Sequence, residues 1–237
     1  MHRLFLPKDQ FPNISGTDAH YLKDVLRCRI GDQLEIFDGS GMAYTVKITR
    51  FGKEQVIFAV EGSTRPANEA QVKVTLAQSL PKGQKMDFVV EKCTELGVHR
   101  IIPMLTERSL AKQAKLERWR KLAKEAAEQS GRVQVPAIDE LTRFEDVLQL
   151  GPAFDLALIP WELEKEVTLK KALTTYRPND RTSLLIVIGP EGGFTQSETE
   201  AAKKAGFIPI SLGKRILRTE TAGMATLASI IYETETA

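Results

Sequence analysis

Cysteine is scarce. Cys28 and Cys93 are the only two in 237 residues, they lie 65 positions apart, and they form no C-x-x-C pair. The three histidines, His2, His20 and His99, stand alone. This spacing argues against a disulfide framework and against a zinc cluster, so no metal is expected. Cys93 sits among apolar neighbours in FVVEKCTELG and reads as a small buried hydrophobe. Long apolar runs are also missing. The longest are five residues, such as Leu184 to Ile188, whereas a membrane helix needs about 20. The opening MHRLFLPKDQ has too short an apolar stretch for a signal peptide. A cytoplasmic protein with no membrane partner is the expectation. Neither sign of charge dominates, with 33 basic against 31 acidic residues.

What is present suffices for a core. Hydrophobic residues make up 42% and charged residues 27%, inside the globular range. A chain of this size can bury about 70% of its unfolded surface. At about 150 residues per domain, the length suggests one large domain or two unequal ones. The charge is unevenly spread. Residues 71–135 carry 13 basic and 7 acidic side chains, and residues 136–180 carry 5 and 9. The basic stretch suits either an anion-binding face or a solvated helix with interleaved Lys and Glu. The early set Arg3, Lys8, Lys23, Arg27 and Arg29 is more suggestive, because only Asp9, Asp18 and Asp24 oppose it.

Two patterns follow one another along the chain. Residues 17–27 place Leu22, Val25 and Leu26 on one helical face. Strand-like runs at 33–37, 43–51 and 55–62 are separated by Asp38-Gly39-Ser40-Gly41 and Gly52-Lys53. They predict a small antiparallel, barrel-like β domain, with residues 63–70 as a linker. Strands then alternate with helices: strands at 74–80, 100–105, 154–160, 183–189 and 208–212, helices at 85–97, 110–129, 195–206 and from Thr219. Thr195 with Glu198 has the spacing of a capping box. Alternation of this kind predicts a mainly parallel α/β sheet.

Two glycine-containing loops stand at strand ends, where parallel sheets bind ligands. Gly189-Pro190-Glu191-Gly192-Gly193-Phe194 lacks the spacing of a P-loop or a dinucleotide fingerprint. Glu191 would repel phosphate and suits a ribose hydroxyl, an amine or a cation. A tight turn with no ligand is the plainer alternative. In the second loop, Leu212-Gly213-Lys214-Arg215-Ile216-Leu217-Arg218, the cations suit nucleic-acid phosphate or an anionic transition state. Ile216 and Leu217 suit an apolar wall beside a planar ring. The alternative is an ordinary helix start with solvated basic residues.

Taken together, LIVIGPEGGFTQSE and LGKRILRTETAG resemble the RsmE family of SPOUT-class methyltransferases. RLFLP, HYLKDVLRCRIGD, LAQSLPKGQKMD, KCTELGV, ERS and EAAEQSGR follow that family's order over nearly the whole chain. The resemblance implies methylation of N3 of a uridine in 16S ribosomal RNA of the small ribosomal subunit, from S-adenosyl-L-methionine. It implies a PUA-like β-barrel over residues 1–68, an α/β trefoil-knot domain over 72–237, and a homodimer. Carried over, the cofactor site comprises Gly189, Glu191, Gly193, Leu212, Gly213, Ile216, Leu217 and Arg218, with Ile159 and Pro160 closing it. Arg218 is the leading candidate for stabilising charge on the uracil oxygens, with Glu128 and Arg132 second. Arg3, Lys8, Lys23, Arg27, Arg29, Lys82 and Lys85 are candidates for gripping RNA phosphates. Three rivals remain: a SPOUT enzyme with another RNA target, a nucleotide-dependent α/β enzyme, and a non-catalytic RNA-binding assembly factor.

Overall fold

The computed structural model describes residues 1–176 and 182–235. They divide into two compact units, one of Met1–Glu69 with Ala127–Val135, the other of Ala70–Ala126 with the chain from Pro136 onward.

The first unit holds β1 (His2–Phe5), β2 (Asn13–Ser15), α1 (Gly16–His20), β3 (Gln33–Phe37), β4 (Ala43–Phe51) and β5 (Gln55–Thr64). Its sheet order is β1-β3-β4-β5-β2. Alternation sets the covered face: Val46 and Ile48 of β4 are buried, while Lys47 and Thr49 between and after them are exposed. These residues pack with Leu4, Ile14, Leu34, Ile36, Val56 and Phe58 in one core. The three strands expected at 33–37, 43–51 and 55–62 pair antiparallel, and β1 adds a parallel partner to β3. The connection from β1 to β3 is long enough for a parallel crossover. The predicted helix over 17–27 is α1 followed by a π-helical turn, Tyr21–Val25. Strand β5 also extends to Thr64, into the stretch read as linker.

The second unit holds β6 (Lys73–Ser79), α2 (Lys85–Glu95), β7 (Arg100–Leu105), α3 (Leu116–Ser130, which continues into the first unit), β8 (Ala137–Ile138), β9 (Thr142–Arg143) and α4 (Phe144–Leu150). These are followed by β10 (Leu156–Pro160), α5 (Leu169–Tyr176), β11 (Ser183–Ile188), α6 (Gln196–Lys204), β12 (Ile208–Ile210) and α7 (Thr219–Glu235). The sheet order is β12-β10-β11-β6-β7-β8, with β9 also pairing with β7. Every pairing in it is parallel. Strand β11 is central, between β10 and β6, and is covered on both faces. Its unbroken run of buried residues follows from that position. Ala77, Ile102, Leu185 and Val187 meet α4 and α6 on one face, and α7 packs on β6 and β11. Each fully buried aliphatic side chain contributes roughly 1.5–3 kcal/mol, so this layer holds the strand ends rigidly.

Helix α3 begins at Leu116, not near residue 110. Leu110 is 63% exposed and Trp119 is the first buried side chain of the segment. Helical propensity without a packed face does not sustain a helix in water. Among the described residues, no helix is long and apolar enough to cross a membrane.

Candidate cofactor and RNA sites

Strand β10 lies between β11 and β12, parallel to both, so the three carboxyl ends share one edge. A cavity of about 480 Å³ opens there. Pro160, Trp161 and Glu162 enter it from β10, Ile188 to Phe194 from β11, Ser211 to Thr219 from β12, and Ala222 from α7.

The first glycine loop is pinned at both ends. At its far end the capping box forms: the Glu198 N–H donates to Thr195 Oγ1 at 3.2 Å, and the Thr195 N–H donates to Glu198 Oε2 at 2.8 Å. At its near end the Thr219 hydroxyl donates to the Gly189 carbonyl at 2.5 Å. Arg108 Nη1 donates to the Gly192 carbonyl at 2.7 Å from the loop after β7. Two glycines of the first loop have local reasons, Gly189 the space beside Phe194 and Gly193 its backbone conformation. A Cβ on Gly189 would stand 3.0 Å from the Phe194 ring, which is locked in the core. A Cβ on Gly193 would stand 2.7 Å from Glu162 Oε1, at a φ of +67° that side chains rarely adopt.

Glu191 accepts the Lys82 N–H at 2.9 Å and faces Lys85 Nζ at 3.5 Å. Burial alone pushes its carboxyl up, but the Lys82 N–H, its own backbone N–H and the Lys85 ammonium outweigh burial and hold it below the usual carboxylate range. An ionised carboxylate at the cavity disfavours a polyphosphate and tolerates a cationic ligand. In the second loop Ile216 lines the open side and is 89% exposed, while Leu217 is half-buried. Arg218 is exposed, its guanidinium makes no ion pair among the described residues, and its carbonyl accepts the Ala222 N–H at 2.8 Å in the first turn of α7.

The structure therefore brings Pro160, Gly189, Glu191, Gly193, Leu212, Gly213, Ile216, Leu217 and Arg218 around one cavity. Ile159 is fully buried in the core instead, because successive strand residues point to opposite faces. Trp161 and Glu162 were missed. Their signal was available, since they follow β10 at the same ligand-binding edge.

Glu128 and Arg132 lie in the first unit and make structural contacts there. Arg132 is 4% exposed. Its Nη2 and Nε donate to Glu69 Oε2 at 2.7 and 3.1 Å, while Glu69 Oε1 accepts the Val133 and Gln134 N–H groups. Glu128 Oε1 accepts the Phe5 N–H at 2.9 Å. Arg3 pairs with Glu35 at 2.8 Å and donates to the Arg132 carbonyl at 3.0 Å. Lys23 Nζ donates to the Gly52 and Lys53 carbonyls at 2.5 and 3.0 Å. Lys8, Arg27 and Arg29 are exposed, with Lys8 Nζ 3.8 Å from the Tyr44 ring centre. Arg27 has a φ of +54°, which is uncommon outside glycine. Lys82 is exposed, and Lys85 also pairs with Glu220, at 3.3 Å.

Residues 68–231 match the RNA methyltransferase domain family, and residues 14–61 match the RNA methyltransferase PUA domain. A ribosomal RNA small subunit methyltransferase E from Bacillus subtilis is 37% identical over 94% of this chain and 90% of that protein. The chain belongs to the ribosomal RNA small subunit methyltransferase E family. A crystal structure of such a methyltransferase E from Neisseria gonorrhoeae, bound to S-adenosyl methionine, aligns with a TM-score of 0.89 at 32% identity. The alignment covers 99% of this chain and 98% of that one. A methyltransferase from Legionella pneumophila, also with bound cofactor, aligns at 0.86 and 31% over 98% and 96% of the two chains. The PUA-like sheet and the parallel α/β layer are thus features of this methyltransferase E family.

Proposed function

We propose that this chain transfers a methyl group from S-adenosyl-L-methionine to N3 of a uridine in 16S ribosomal RNA of the small subunit. The observation that carries the proposal is the cavity formed by three loops at the ends of β10, β11 and β12. It fits the cofactor in volume, in its apolar wall and in its ionised Glu191, and cofactor-bound relatives share the fold. When bound, S-adenosylmethionine supplies a methyl group on a positively charged sulfur.

The chain's residues do the rest. Leu212, Ile216 and Leu217 cover a planar ring, and backbone groups of Gly189 to Gly193 and of Gly213 fix its polar edge. Uridine N3 is a poor nucleophile until its proton passes to water; the N3–methyl bond then forms as the methyl–sulfur bond breaks, and S-adenosylhomocysteine leaves. Arg218 stabilises charge developing on the uracil oxygens, helped by the N-terminus of α7. Holding ring and donor in line lowers the barrier further. The base is reached by unstacking it from the RNA. Lys8, Arg27 and Arg29, exposed in the first unit, grip phosphates, whereas Arg3 and Lys23 are held by protein partners.

The same reading assigns residues 1–68 to RNA contact and 72–237 to catalysis. It includes a trefoil-knotted chain around the cofactor loops, a homodimer and a cytoplasmic location. Calorimetry tests the cavity directly: S-adenosylmethionine binds at micromolar concentration and ATP and NAD do not. Binding of ATP or NAD in its place would refute the proposal.

A further inference from the structure

The geometry points to Lys85 as a positioning residue for the cofactor cavity, one that ties the first glycine loop to the first turn of α7 instead of gripping RNA. This inference rests on the cofactor reading above. Lys85 is the first residue of α2. Its ammonium lies 3.5 Å from Glu191 in the first loop and 3.3 Å from Glu220 in the first turn of α7. The Glu220 side chain is only 12% exposed, and its Oε2 is buried with no hydrogen-bond partner among the described residues. A carboxylate in that position is costly unless a cation faces it. Lys85 is the cation that does so. Arg218 stands two residues before Glu220 in sequence, so the placement of Glu220 also sets where α7 begins and where Arg218 is presented.

A second link runs beside the first. Gln78, at the end of β6, donates from Nε2 to Thr219 Oγ1 at 2.9 Å, and Thr219 in turn donates to the Gly189 carbonyl. The Lys82 N–H holds Glu191 from the same connection. Residues 78, 82 and 85, the stretch from β6 to α2, therefore anchor the first loop and the start of α7. An RNA-gripping lysine keeps its ammonium free for phosphate. The Lys85 ammonium is shared between two carboxylates, whereas the Lys82 side chain makes no ion pair among the described residues. Of the two side chains, only that of Lys85 joins the cavity's frame; Lys82 contributes through its backbone N–H.

The test measures S-adenosylmethionine affinity by calorimetry and RNA affinity against salt for the full chain. Lys85→Met keeps the stem and removes the charge. It weakens cofactor binding about tenfold, the low end for losing a charge-assisted contact, and leaves the RNA salt slope unchanged. Lys85→Arg restores most of the affinity, and Lys121→Met, at an exposed position on α3 away from the cavity, does not alter it. The double variant Lys85→Met with Glu220→Gln removes the buried unpaired charge, so it regains thermal stability while cofactor binding stays weak. Wild-type cofactor affinity in Lys85→Met would overturn the inference. So would a salt slope reduced by about 0.7, the value of one lost single-strand phosphate contact. Failure of the wild-type chain to bind S-adenosylmethionine would overturn the cofactor reading itself, and this inference with it.

Discussion

Arg132→Met separates structure from catalysis most sharply in the first unit. Arg132 is almost fully buried, and its guanidinium gives two hydrogen bonds to one oxygen of Glu69. The other oxygen of Glu69 takes two backbone N–H groups. Removing the guanidinium leaves a carboxylate without its cation. Breaking a buried pair on one side costs about 3–5 kcal/mol, and the lower end applies here because Glu69 keeps two N–H donors and some solvent contact. Urea unfolding of Arg132→Met therefore shows a loss of about 3 kcal/mol. The double variant with Glu69→Gln recovers more than half of that loss, because no charge is then left stranded. Methyl transfer per folded molecule, measured well below the new transition, stays within about threefold of wild type, a change in barrier under 1 kcal/mol. A variant that keeps its stability and loses activity more than a hundredfold would refute the reasoning and place Arg132 in the chemistry.

Other outcomes follow from the same contacts. Arg218→Ala lowers kcat about a hundredfold, the scale of losing one charge-stabilising donor, while calorimetric cofactor affinity changes much less; an equal loss in both would make Arg218 a binding residue only. Neutralising Arg27 and Arg29 together weakens RNA binding and reduces the slope of log affinity against log salt by about 1.4, two single-strand contacts; an unchanged slope removes them from the footprint. Burial pushes the Cys93 thiol up to about 12, so at pH 8 iodoacetamide labels Cys28 in the native chain and Cys93 only after unfolding. Native labelling of Cys93, read by mass spectrometry, would contradict that.

Much of the frame was legible because local chemistry decides it. The Thr195–Glu198 capping box follows from spacing alone, and the apolar run of β11 marks a strand buried on both faces. The carboxyl-end rule put each glycine loop at a strand end, and the family resemblance joined the two in one cofactor site. Other features depend on contacts distant in sequence. The three-residue strand β2 has too few positions to show an alternation, and β1 was read as a motif, not a strand. The order β12-β10-β11-β6-β7-β8 is a property of crossovers that periodicity does not carry. The segment Ala127–Val135 belongs with the first unit because Ala127, Val133 and Val135 complete a core with Phe5, Phe37 and Ala43. Nothing in its local pattern signals that. Charge gave the least guidance: Arg3, Lys23 and Lys85 look alike as free cations in sequence, yet each has partners that only the fold supplies.

Methyl transfer to one uridine is the proposed activity of this chain. Its most direct test incubates the chain with labelled S-adenosylmethionine and small ribosomal subunits lacking the modification, followed by nucleoside analysis of the RNA. Label appears in 3-methyluridine at a single site, and its initial rate falls about a hundredfold in Arg218→Ala. Measurable cofactor binding with no labelled 3-methyluridine would contradict it.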